Sequence, residues 1–174
     1  MSDDPNSDAV DSLRTPAATS ELLGHGEAEQ RLLDAWMSGR MPHAWLFAGP
    51  PGIGKATLAF RLARFVLSGG GAASGGLFGE ALPPVSLAVP EDDPVARLVA
   101  AEAHPDLKIL RRQPNERGVM SNVIRVNDVR AFENSLHLKT SAGGWRVAIV
   151  DEAERMNPNA ENALLKILEE PPSK

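Results

Sequence analysis

The stretch Trp145-Arg-Val-Ala-Ile-Val150, followed by Asp151-Glu152 and then by Asn162-Ala-Leu-Leu-Lys-Ile-Leu-Glu-Glu-Pro-Pro172, decides the reading of this 174-residue chain. Val147–Val150 is continuously apolar, as expected of a strand buried on both faces of a parallel sheet between helices. Its carboxylates then stand at a strand C-terminal end, outside which ligands of open α/β sheets bind. Asp151 is placed there to hold a magnesium ion on a nucleotide, and Glu152 to orient an attacking water. An Asp-Glu pair after an apolar run is equally what an ordinary solvated strand end presents. Downstream, Ala160, Ala163, Leu164, Ile167 and Leu168 recur at the spacing of one helix face, and Pro171 and Pro172 stop that helix.

A second motif lies upstream. Ala44-Trp-Leu-Phe-Ala48 predicts another buried strand, and Gly49-Pro-Pro-Gly-Ile-Gly-Lys-Ala56 follows it into a helix running through Leu67. Strand, glycine-rich loop and helix in that order make a phosphate-binding loop. A chain that wraps a phosphate needs dihedrals that glycine adopts cheaply and backbone N–H groups that approach the oxygens closely. Gly49, Gly52 and Gly54 supply both, with Ile53 between them. The helix N-terminus and the Lys55 ammonium bring positive charge to the same place. One position departs from the pattern: the residue after the lysine ordinarily carries a hydroxyl for magnesium, and here it is Ala56. Thr57 is no simple substitute, because the next helical residue points about 100° around the axis. Phosphate binding and metal-assisted hydrolysis therefore separate.

Together these residues resemble the AAA+ module of the bacterial clamp-loader family, and within it the delta-prime branch. Gly49–Ala56, Asp151-Glu-Ala-Glu154 and above all Asn162–Pro172 carry the resemblance. Leu23-Gly-His25, Pro42-His-Ala44, His104-Pro-Asp106 and Ile124-Arg-Val-Asn-Asp-Val129 support it, and it covers Glu21 to Lys174. The resemblance implies an α/β fold, a P-loop AAA+ parallel sheet flanked by helices. It implies that Gly49, Gly52, Ile53, Gly54, Lys55, Ala56 and Thr57 surround the phosphates of ATP or ADP. Asp151 then ligates the accompanying magnesium, and Glu152 is the catalytic carboxylate where hydrolysis survives.

The same resemblance implies a place in the DNA polymerase III holoenzyme, a nucleotidyltransferase complex, with no polymerase chemistry in this chain. The expected role is a stator in a hetero-oligomeric ring that helps load the sliding clamp onto primer–template DNA during replication. An active AAA+ ATPase, as a motor subunit or another remodelling protein, is the alternative. Stator subunits present an arginine from a Ser-Arg-Cys motif to the neighbouring ATP site; no such motif occurs here, so it is expected beyond Lys174. The family's sheet sets its next strand between the loop strand and the Asp151 strand. The chain accordingly reads as an N-terminal portion truncated before that sensor strand, with the apolar edges of both neighbours bare.

Other segments are less specific. Relatives carry a four-cysteine metal module after the loop helix, but this chain has no cysteine, which excludes a thiolate zinc site. Residues 68–103, with the run Ser68–Gly76 and the acidic Glu91-Asp-Asp93, read as a flexible, degenerate insertion in a domain spanning 21–174. Residues 1–20, with Asp3, Asp4, Asp8 and Asp11, read as a disordered acidic tail, unlike a signal peptide. His25, His43, His104 and His137 are scattered capping or core residues. Net charge is −5 and no apolar run reaches membrane length, so a cytoplasmic protein that does not bind DNA by itself is expected. Arg111, Arg112, Arg117, Arg125 and Arg130 read as a solvated face or a subunit contact, in preference to a direct DNA contact. Glu27–Met37 predicts a helix with Leu32, Leu33 and Trp36 inward, and Asn127 an N-cap for a helix burying Phe132 and Leu136. Leu22, Leu23 and Gly24 precede the first helix, where related modules line the adenine pocket; a helix staple reads the same way.

Overall fold

A computed structural model describes residues 14–70, 83–114, 118–138, 140 and 144–171. The elements in chain order are α1 (Gly26–Met37), α2 (Lys55–Leu67), α3 (Pro94–Ala100), β1 (Leu107–Leu110), α4 (Val126–Leu136), β2 (Val147–Val150), a single 3-10 turn (Ala153–Arg155) and α5 (Pro158–Glu169). β1 and β2 pair in parallel, Leu107 opposite Val147 and Leu110 opposite Val150. This is the mixed α/β architecture with a parallel sheet that the sequence predicts.

Helices cover both faces of the sheet. On one side Leu107 and Ile149 pack with Phe60 and Ala63 of α2 and Val99 of α3. On the other, Leu110 joins Val129, Phe132 and Leu136 of α4 and Ala160 and Ile167 of α5. A third cluster joins α1 to α2 through Leu32, Leu33, Leu58, Leu62 and Phe65, and Trp36 meets Phe65 edge-on at 5.4 Å. The predicted inward faces of α1 and α4 are thus the buried ones.

Each helix start has a chemical reason. The Asn157 side chain accepts from Ala160 N at 2.9 Å, with Pro158 in the first turn of α5. Asp93 caps α3 by accepting from Val95 N and Ala96 N at 2.7 and 3.0 Å. α4 begins one residue before the predicted cap: Arg125 is its N-cap residue, and Asp128 reaches back to accept from Arg125 N at 2.8 Å. Asn127 therefore lies inside the helix, because the carboxylate one position later closes the turn in its place.

Two expectations are corrected. Ala44–Ala48 belongs to no ladder among the described residues, and Leu46 is 88% exposed. A strand needs a neighbour for alternate N–H and C=O groups, and β1 and β2 pair with each other instead. β2 itself is buried chiefly at Ile149, while Ala148 is exposed. The described parts of residues 14–20 and 83–103 also contribute buried side chains. Leu87, Ala96 and Val99 are buried, and residues 14–20 lie against α2 with Ala17 fully enclosed. Low apolar content in these segments is offset by polar anchors that composition does not reveal. Residues 1–13 and 71–82, Arg117, and residues 172–174 lie outside the described set.

Candidate functional site

The phosphate loop is shaped by its glycines. Gly52 and Gly54 sit at φ 80° and 95°, the latter as N-cap of α2, a backbone region that strains side-chain-bearing residues. A Cβ at Gly54 would lie 2.9 Å from Leu22 Cδ1, and one at Gly49 would lie 2.7 Å from Ile53 Cδ1. An alanine at Gly49 or Gly54 must push that neighbour aside. The turn therefore leaves the α2 N-terminus open toward the loop, where its first N–H groups lack intrahelical partners.

Lys55 folds back over that turn. Its Nζ donates to Gly49 O at 2.9 Å and to Pro50 O at 2.8 Å, using two of three ammonium protons. The ammonium is held against the loop, with a third proton beyond these two bonds. Ala56 presents only a methyl group, and Thr57 follows it half-buried on α2. Ile53 is exposed at the loop tip. Its carbonyl meets His25 Nε2 at 2.6 Å; because a carbonyl only accepts, Nε2 carries the proton. His25, read from sequence as a cap or core residue, is the N-cap residue of α1, and its side chain ties the start of that helix to the loop.

Asp151 and Glu152 stand at the end of β2, as predicted. Asp151 N donates to Leu110 O at 2.9 Å, extending the ladder by one bond. Glu152 has left-handed dihedrals, φ 57° and ψ 47°, unusual for a side-chain-bearing residue and worth about 1–2 kcal/mol of strain. Its carboxylate accepts from Arg112 Nε at 2.5 Å and from Arg112 Nη2 at 3.0 Å. This bidentate contact, reinforced by attraction to Glu152, Asp151 and Glu154, raises the Arg112 pKa. The carboxylate expected to orient water is thus occupied by a guanidinium.

Of the four described arginines read as a solvated face or a subunit contact, two make internal ion pairs: Arg112 with Glu152, and Arg111 with Glu102. Sequence held no signal for either pair beyond charge. A cleft of about 420 Å³ opens along β1 and α4, lined by Glu102, Lys108, Arg111, Asp128 and Ser135. It contains none of the loop residues.

The residues present fit phosphate better than magnesium. The helix N-terminus and Lys55 suit an oxyanion, whereas Ala56 offers no ligand atom and the Glu152 carboxylate is engaged by Arg112. Among the described residues no group of three His, Asp or Glu side chains is arranged to hold an ion. No described helix is long and apolar enough to cross a membrane.

Comparison with known proteins gives a consistent result. A family model described as DNA polymerase III, delta subunit, matches residues 85–174. The DNA polymerase III subunit delta' of Pseudomonas aeruginosa is 37% identical over 144 residues, 82% of this chain and 38% of the relative. The Escherichia coli subunit delta' is 29% identical over 147 residues, 83% of this chain and 38% of the relative. The gamma/tau subunit of Mycobacterium tuberculosis is 33% identical over 157 residues, 90% of this chain and 24% of the relative. The chain therefore spans well under half the length of these relatives. With the family model matching more than half of its residues, the chain belongs to the DNA polymerase III delta-subunit family.

Proposed function

We propose that the chain acts as a stator-like clamp-loader subunit of the DNA polymerase III holoenzyme and binds ATP or ADP through Gly49–Lys55 with little or no hydrolysis. The observation that carries this reading is the contrast between the loop and the end of β2. The glycine turn and Lys55 are built for phosphate, while Ala56 lacks a ligand atom and Arg112 occupies Glu152.

The partners follow from the family. Relatives named as delta' and gamma/tau subunits support assembly with other clamp-loader chains. Contact with the sliding clamp and with primer–template DNA is proposed through the assembled ring, in the cytoplasm where replication occurs. A net charge of −5 gives little independent drive toward DNA. Residues 21–174 are proposed as one AAA+ unit. When bound, magnesium would supply charge neutralisation at the phosphates, and Asp151 is the residue proposed to hold it.

Calorimetric titration of ATP and ADP into the full-length subunit, with and without magnesium, tests this. Binding abolished by Lys55→Ala, together with phosphate release close to background, is expected. Absence of binding to the folded protein refutes the nucleotide part and leaves an architectural role. The alternative, an active ATPase, draws on Glu152 standing at the end of β2; brisk magnesium-dependent turnover by the native sequence would favour it.

A further inference from the structure

Behind the phosphate loop, the helix that follows it grips the chain that precedes α1. The Arg64 side chain belongs to a residue only 5% exposed. Its Nη1 donates to Ala17 O at 2.7 Å and its Nη2 to Thr19 O at 2.6 Å. Next to it, Arg61 donates to Ser20 O at 2.5 Å and pairs with Glu29 of α1. From the outer side, Glu91 accepts from Ser20 Oγ at 2.5 Å and from Arg14 at 3.3 Å. Residues 17–20 are thus held on two sides.

A buried guanidinium is costly unless its donors are satisfied. Among the described residues no carboxylate lies within ion-pairing distance of Arg64. Burial first, then repulsion from Arg61, lowers its pKa, and attraction to Glu91 partly offsets them. Arg64 therefore gains most from the two carbonyls, and those carbonyls are placed by it.

The grip has a short path to the loop. Ser20 leads through Glu21 to Leu22, whose Cδ1 fills the space where a Cβ on Gly54 would lie, and on to His25, whose Nε2 holds Ile53 O. We propose that Arg64 is a positioning residue for the phosphate loop: by fixing residues 17–20 on α2 it sets Leu22 and His25 against Gly54 and Ile53. The inference rests on reading that loop as a nucleotide site, and it adds a control point remote from the phosphates. Lysine at 64 keeps the charge but cannot span two carbonyls with a planar fork.

The test is Arg64→Lys in the full-length subunit, read by the His25 imidazole nitrogen resonances and by ATP titration. The His25 signals are assigned with His25→Ala. The expected result is a shift of the His25 signals to those of a solvent-exposed ring and a loss of ATP affinity of about tenfold, the scale of one lost hydrogen bond to a charged group. Val66→Ala, a truncation in the adjacent core, should lower stability while leaving both readouts unchanged. Unchanged His25 signals in Arg64→Lys overturn the proposal, as does an unchanged affinity despite shifted signals. If the native protein binds no ATP, the nucleotide reading fails, and the His25 signals alone decide the positioning role. Should Arg64→Lys not fold, Ser20→Ala combined with Glu91→Ala loosens the same segment from outside, with the same expected and overturning results.

Discussion

Arg112 holds Glu152 through two parallel contacts, Nε to Oε2 and Nη2 to Oε1, between residues 40 apart in sequence. The pair joins the end of β1 to the end of β2, so the two strands' C-terminal ends share a closed charge pair. A carboxylate in that state is a poor acceptor for a proton from water, since its lone pairs are already directed at a cation.

The pair and Ala56 are two separate obstacles to hydrolysis, and each can be removed. Ala56→Thr restores a metal-ligating hydroxyl, and Arg112→Ala releases Glu152. Neither change alone is expected to give substantial turnover, whereas the double variant should exceed the better single variant by an order of magnitude or more, the usual contribution of a positioned base. Phosphate release at saturating ATP and magnesium checks this. A double variant no faster than Ala56→Thr would show that Glu152 has no latent catalytic role.

How far the site was legible depends on sequence separation. The phosphate loop and the α5 face are local patterns, set by glycine spacing and helical periodicity; the loop leads into a helix as predicted, and α5 packs Ala160, Ala163, Leu164 and Ile167 inward, while Leu168, predicted on the same face, is exposed. The cap of α4 was misread by two positions: Asn127 suits a cap by residue type, but Arg125 holds that position and Asp128 reaches back to its N–H. Ala44–Ala48 has strand composition but no ladder, since pairing depends on which other strands are adjacent. Arg112 with Glu152, Arg64 with Ala17, and Ser20 with Glu91 are 40, 47 and 71 residues apart. No periodicity reports contacts of that kind. The acidic run Glu91–Asp93 shows the same limit: it reads as solvated charge, yet Asp93 caps a helix and Glu91 holds Ser20.

Glu102 offers a stability test. It follows the C-cap Ala101 of α3 with φ 53°, its N–H bonds Val99 O at 2.9 Å, and Ala103 N–H bonds Leu98 O at 2.8 Å. This is the Schellman arrangement, in which glycine is favoured. Glu102→Gly removes the strain but also the ion pair with Arg111, whose worth at a partly exposed position is below about 1 kcal/mol. The variant is expected to be neutral or more stable by up to about 1 kcal/mol, whereas Glu102→Val should lose more than about 1 kcal/mol. Urea denaturation distinguishes them, and a glycine variant less stable than the valine one would contradict the backbone argument.

The exposed row before the phosphate loop predicts association. Leu46 is 88% exposed, and Leu165 and Leu168 of α5 also face outward. Burying one leucine is worth about 1.5–3 kcal/mol, or roughly a tenfold to hundredfold change in an association constant. The isolated 174-residue chain should therefore self-associate at micromolar concentration, and Leu46→Lys should shift it toward monomer. Sedimentation velocity over a concentration series measures this; identical behaviour of the two proteins would remove Leu46 from the contact.

Asn157 links the end of β2 to α5. Its side chain accepts from Ala160 N, while its own N–H donates to Ile124 O at 3.3 Å and Ile124 N donates to Arg155 O at 2.8 Å. The residue thus starts α5 and fastens the turn after Glu152 to the buried Ile124. Asn157→Ala removes only the side-chain half of this arrangement and should cost about 1 kcal/mol. Asn157→Asp keeps an acceptor next to the positive helix end and should retain most of the stability. Because the cap lies just past Glu152, the alanine variant should also raise amide exchange at Ala153–Met156 ahead of global unfolding. Exchange rising uniformly across the chain would mean that the cap stabilises the fold as a whole and does not single out this turn.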